Sequence, residues 1–217
     1  MLAVKSALGN SPTLSDWNTS AVATDCCFWA AVSCDGDAGA AGRVTALTVI
    51  GRGTISARVP AALANLTALR TLNLPYNRLH GAVPEFLGPA ALPDLAFLRL
   101  DGNRLSGPVP PTLTVPDLNL QLTALHLSRN RFEFDLGRVE LPEAMDVLEI
   151  DGNMIYGSIP RLPPAAAARK WLAFNVSDNQ LCGPIPQGRY THRFGPSHFA
   201  GNKCLSAAAR SRRAPAS

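Results

Sequence analysis

The sequence is poor in features that several functional classes require. Of its 217 residues, 6% are aromatic and 17% charged, while 47% are hydrophobic. A chain this apolar and this low in charge is not expected to be disordered. No apolar run reaches membrane-spanning length, because 17 glycines and 18 prolines interrupt the chain throughout. The same punctuation excludes long helices. There is no CxxC pair, and no Cys/His set has zinc-ligand spacing, so neither thioredoxin-type chemistry nor a metal centre is expected. Nothing in the composition calls for a cofactor.

A basic face is missing too. The formal charge is +4, but Arg210, Arg212 and Arg213 near the C-terminus supply three of the positive charges. The body is then almost neutral, which argues against nucleic acid as a partner. Residues 205–217 read as a flexible basic tail.

What the chain does have is a set of cysteines in two distant clusters, at 26, 27, 34, 182 and 204. One disulfide at each end suits a secreted protein. The pairs expected are Cys27 with Cys34 and Cys182 with Cys204, with Cys26 to Cys34 as a permissible alternative. Sequons at Asn18, Asn65 and Asn175 agree with secretion and are the candidate glycosylation sites. The N-terminal MLAVKSALGN has no long apolar core, so no signal peptide is visible.

Internal repetition decides the fold class. LTALRTLNLPYNRLHGAVP (66–84), LPDLAFLRLDGNRLSGPVP (92–110), MDVLEIDGNMIYGSIP (145–160) and WLAFNVSDNQLCGPIP (171–186) share the pattern LxxLxxLxLxxNxLxGxIP. The asparagines at 77, 103, 130, 153 and 179 recur at spacings of 26, 27, 23 and 26 residues, within the leucine-rich-repeat period. VTALTVIGRGTISARVP (44–60) is a first repeat with Arg52 at the asparagine position. The expected architecture is an α/β solenoid of six repeats: a right-handed superhelix with parallel strands on its concave face and disulfide-stapled caps. Leucines of each Leu-x-Leu stretch point inward and their neighbours outward. The asparagines are placed to bond backbone groups where the chain leaves the strand. The expected organisation is an N-terminal cap over 1–42, repeats over 43–186, a C-terminal cap over 187–204 and the tail beyond. Residues 2–8 suit a short amphipathic helix in the first cap.

LAVKSALGNSPTLSDW, DCCFWAAVSC, FEFDLGRVELP, GNMIYGSIP and FNVSDNQLCGPIPQG resemble the plant polygalacturonase-inhibiting proteins, extracellular leucine-rich-repeat proteins of the cell wall. The resemblance covers residues 2 to about 205 and is shortened by several middle repeats. It implies a secreted defence protein that is not an enzyme. Its partner would be a fungal or insect endopolygalacturonase, bound through the concave face. Members of the family carry a further cysteine before the cap helix, the expected partner of Cys26, and two more after the one matching Cys204. They have roughly ten repeats where this chain has six.

The outward row of the strands is Thr48, Asn73, Arg99, His126, Glu149 and Asn175. Candidate partner-binding residues on that face are Arg70, Asn73, Arg99, Asp101, His126, Arg129, Asp146, Glu149 and Asp151, basic toward one end and acidic toward the other. The chain's 17 arginines also suggest direct contact with pectin or oligogalacturonides. His126 has no nucleophile motif nearby. Glu149 and Asp151 would lie side by side rather than across a cleft, which argues against glycoside hydrolysis. The alternative to inhibition is a non-inhibitory interaction module, either a signalling partner or a truncated paralogue.

Overall fold

Each Leu-x-Leu stretch buries its leucines and turns the intervening side chain outward, and six such stretches become parallel strands of one sheet. They are Val44–Thr48, Thr71–Asn73, Phe97–Arg99, Ala124–His126, Val147–Glu149 and Ala173–Asn175. The structure, a computed structural model, describes residues 1–18, 25–36, 42–51, 53–114, 121–160, 171–186 and 193–206. The central strand residues Leu47, Leu72, Leu98, Leu125, Leu148 and Phe174 are at most 2% exposed. They stack into a continuous core, so each repeat stabilises its neighbours. The fold is a leucine-rich-repeat solenoid.

The asparagines form a ladder. In each turn the amide NH2 donates to two carbonyls of its own repeat and one of the preceding repeat. Asn103 Nδ2, for example, bonds the Leu100, Asp101 and Leu74 carbonyls at 2.9–3.2 Å. Its Oδ1 accepts the Leu79 amide at 2.9 Å. Asn130, Asn153 and Asn179 repeat this set. Asn77 keeps the donor half, while its buried Oδ1 has no hydrogen-bond partner among the described residues. Arg52 lies outside the described residues.

One rung was not foreseen. Asn202 bonds the Val176, Phe199 and Ala200 carbonyls and accepts the Leu181 amide. Residues 193–206 therefore form a truncated seventh turn. The final strand, Cys204–Ser206, runs across the 204/205 boundary expected between cap and tail.

The Gly-x-Ile-Pro segments do more than turn the chain. Short strands just before or within them build two lateral three-stranded sheets. His80–Gly81, Arg104–Gly107 and Arg131–Phe132 form the first, and Tyr156–Gly157, Gln180–Pro184 and Cys204–Ser206 the second.

At the N-terminal end, helix Leu2–Ala7 buries Val4, and Trp17 is fully buried against Trp29 with ring centroids 5.9 Å apart. Trp17 Nε1 donates to the Ala30 carbonyl at 2.9 Å. Strand Val32–Cys34 adds an antiparallel edge to the concave sheet, and a disulfide joins Cys27 to Cys34. Cys26 is a free thiol. At the other end, Phe174 packs on Trp171, Phe194 and Phe199, and the paired strand residues Cys182 and Cys204 are disulfide-bonded.

Candidate protein-binding face

Because parallel pairing is in register, equivalent positions of successive repeats stand side by side. Thr48, Asn73, Arg99, His126, Glu149 and Asn175 form one row across the concave sheet. His198 continues it, since its carbonyl accepts the Val176 amide as Arg99 accepts that of Leu74.

Side chains on this face are tied to one another. His126 Nδ1 donates to Glu149 Oε2 at 2.8 Å, and its ring leans on Phe97 with centroids 5.1 Å apart. Arg99 Nε donates to the buried Asp101 carboxylate at 2.6 Å. Asp151 Oδ1 accepts both Ser128 Oγ at 2.5 Å and Asn175 Nδ2 at 3.0 Å. The hydrogen bond from His126 is the main cause that holds the Glu149 carboxyl below its ordinary value, with the charges of Arg99 and His198 also contributing. The Asp101 hydrogen bond raises the Arg99 guanidinium pKa further. Preset hydrogen bonds of this kind fix charge positions before a partner arrives, which lowers the ordering cost of docking.

The other expected residues sit differently. Arg70 and Arg129 are exposed and belong to none of the ion pairs among the described residues. Asp146 is half-buried, and its carbonyl accepts the Leu172 and Ala173 amides. Asn73 is half-buried, and its buried Oδ1 has no hydrogen-bond partner among the described residues. Of the sequon asparagines, Asn18 and Asn65 are exposed. Asn175 instead lies within the network, and its Oδ1 accepts the Ser177 amide. Ser128 and His198 escaped sequence reasoning. Ser128 follows the leucine of a strand where neighbouring repeats carry aspartate, a register signal that could have found it.

A second feature runs along the sheet's edge. The residue after the ladder asparagine is arginine in three successive repeats, giving the exposed Arg78, Arg104 and Arg131. None of them belongs to an ion pair among the described residues.

The described residues include no helix long and apolar enough to cross a membrane. The family model "Leucine rich repeat N-terminal domain" matches residues 1–35. Polygalacturonase inhibitor 1 of Arabidopsis thaliana is 30% identical over an alignment that takes in 96% of this chain and 88% of that protein. The chain belongs to the polygalacturonase inhibitor family. Polygalacturonase inhibitor 1 of Oryza sativa subsp. japonica is 40% identical over 101 residues, 46% of this chain and 28% of that one. Among solved structures, Pollen Receptor Kinase 3 superposes with a TM-score of 0.69 at 26% identity, covering 91% of this chain and 90% of its own. The BIR2 ectodomain of Arabidopsis thaliana gives 0.64 at 25%, over 95% and 92%.

The first of these alignments extends over 302 positions, although this inhibitor-family chain has 217 residues. The longer relative thus carries on the order of 90 residues without a counterpart here, about four repeats.

Proposed function

We propose that this chain is a secreted inhibitor that binds endopolygalacturonases of fungi or insects through its concave face. It acts by steric occlusion, without chemistry of its own. The observation that carries this reading is the linked set Arg99–Asp101, His126–Glu149 and Ser128–Asp151–Asn175. It offers both signs of charge, already oriented, on an open sheet. An enzyme whose substrate is an anionic polysaccharide needs a cationic cleft, and the acidic end of this face complements one. Glu149 and Asp151 share that face rather than opposing each other across a cleft, an arrangement suited to recognition and not to general acid–base catalysis. The disulfides suit an oxidising extracellular setting such as the cell wall.

The row Arg78, Arg104 and Arg131, in no ion pair among the described residues, favours a companion contact with pectin or oligogalacturonides. Arginines recurring at one position of three successive stacked repeats, whose backbones lie about 5 Å apart, match a linear polyanion in a way that a single cation cannot.

Reducing-sugar release from polygalacturonic acid by a panel of endopolygalacturonases, with and without the folded protein, tests the main reading. Dose-dependent inhibition of any enzyme supports it. Unchanged release across the panel, with circular dichroism confirming the fold, favours a non-inhibitory interaction module.

A further inference from the structure

The fourth repeat departs from its neighbours. Where others carry HGAVP, SGPVP or YGSIP, it carries FEFDLGRVELP over 132–142. Without the Gly-x-Ile-Pro turn, the chain leaves the lateral sheet after Phe132. The Asp135 carboxylate then caps a 3-10 helix, Leu136–Arg138, by accepting the Gly137 amide at 2.9 Å. Strand pairing with the next repeat's lateral strand is reduced to an isolated bridge between Asp135 and Tyr156, with the Met154 and Tyr156 amides donating to the Phe132 and Phe134 carbonyls.

This departure opens a concavity of about 590 Å³ between the third, fourth and fifth repeats. Val109, Phe134, Val139 and the exposed Tyr156 give it an apolar lining. Glu133, Asp135 and Glu140 also line it, and the single cation among the described lining residues is Arg138, paired with Asp135 at 3.3 Å. Glu133 and Glu140 are exposed and belong to no ion pair among the described residues. The site therefore presents two uncompensated carboxylates around an aromatic and aliphatic floor.

The chain itself contains a segment of opposite character. Residues 207–217 read AAARSRRAPAS, with Arg210, Arg212 and Arg213 and no acidic residue. We propose that this basic segment docks in cis into the concavity, placing Arg212 and Arg213 against Glu133 and Glu140.

Reach permits it. Ser206 ends the third strand of the lateral sheet whose first strand is Tyr156–Gly157. Two strand spacings across and four residues along separate Ser206 from Tyr156 by about 16 Å, and the Asp135–Tyr156 bridge puts the fourth repeat one spacing further, about 20 Å from Ser206. An extended chain spans roughly 20 Å in the six residues from Ser206 to Arg212. Guanidinium groups suit the carboxylates and the Tyr156 ring face alike, while the small Ala and Pro residues fit the apolar floor. Each exposed ion pair is weak, but tethering supplies an effective concentration of order millimolar. The docking is accordingly reversible and salt-sensitive.

Tryptic release of the tail, followed by mass spectrometry, tests this in the full chain and in the double variant Glu133→Gln/Glu140→Gln. At about 20 mM salt the variant should lose its tail severalfold faster than the parent chain, and at about 500 mM salt the two rates should converge. Equal rates at low salt would overturn the proposal. So would protection that strengthens with protein concentration, which would place the tail on a second copy.

Discussion

The ring of Tyr76 lies over Gly102, so that a Cβ added to the glycine would stand 2.5 Å from Tyr76 Cδ1. Both residues occupy the position before a ladder asparagine, and both have positive φ, 55° and 65°. The same alternation recurs where Arg129 covers Gly152 and Asp178 covers Gly201. A side chain in one turn is accommodated by its absence in the next.

Gly102→Ala should destabilise the protein by about 1–3 kcal/mol, combining left-handed backbone strain with the ring clash. Adding Tyr76→Ala should restore the clash component and leave the backbone component. Urea unfolding of both variants separates the two.

Asn103→Ala leaves the Leu79 amide without its acceptor and removes one of two donors from each of the Leu74, Leu100 and Asp101 carbonyls, which Asn77, Asn130 and the Tyr76 amide still bond. A loss of roughly 2–5 kcal/mol is expected from one unsatisfied buried amide and three lost hydrogen bonds. Asn202→Ala removes the same number of bonds at a less buried, terminal turn and should cost less, about 1–2 kcal/mol. Equal losses in thermal unfolding would contradict the terminal placement of Asn202.

Glu149 has a folded-state pKa below its ordinary 4.5. The stability it contributes is thus fully present above about pH 5 and is lost as pH falls through the lowered value. Glu149→Gln should lower the thermal midpoint near neutrality, and the gap from the parent protein should close as the pH falls below the carboxyl's ordinary 4.5. A gap that persists at low pH would show that the His126 contact is not its source.

Asn175 holds Asp151 through its amide nitrogen, the atom to which a glycan would be attached. Glycopeptide mapping after expression in a plant secretory system should find sugar at Asn18 and Asn65 and none at Asn175. Full occupancy at Asn175 would mean that the concave network forms only without it.

The solenoid was legible because one residue type must recur at one position: only an amide side chain donates and accepts along the ladder, so Asn77 to Asn179 set the register. Asn202 was hidden because the leucines that flag earlier repeats are replaced by Ser197 and Phe199 in its turn. The lateral sheets were hidden because their strands are two to five residues long and rich in glycine and proline, which read as turns. The outward row followed from alternation alone. The pairings within it, such as Ser128 with Asp151, depend on rotamers across neighbouring turns and leave no trace in spacing.

The concave face is the centre of this account, and an inhibition constant tests it most directly. For an endopolygalacturonase that the protein inhibits, the constant should be measured for the parent chain, for Asp151→Ala and for Glu85→Ala, which alters an exposed residue outside the sheet. Asp151→Ala should weaken inhibition tenfold or more, about 1.4 kcal/mol, with Glu85→Ala unchanged. Equal inhibition by all three folded proteins would contradict docking through this face.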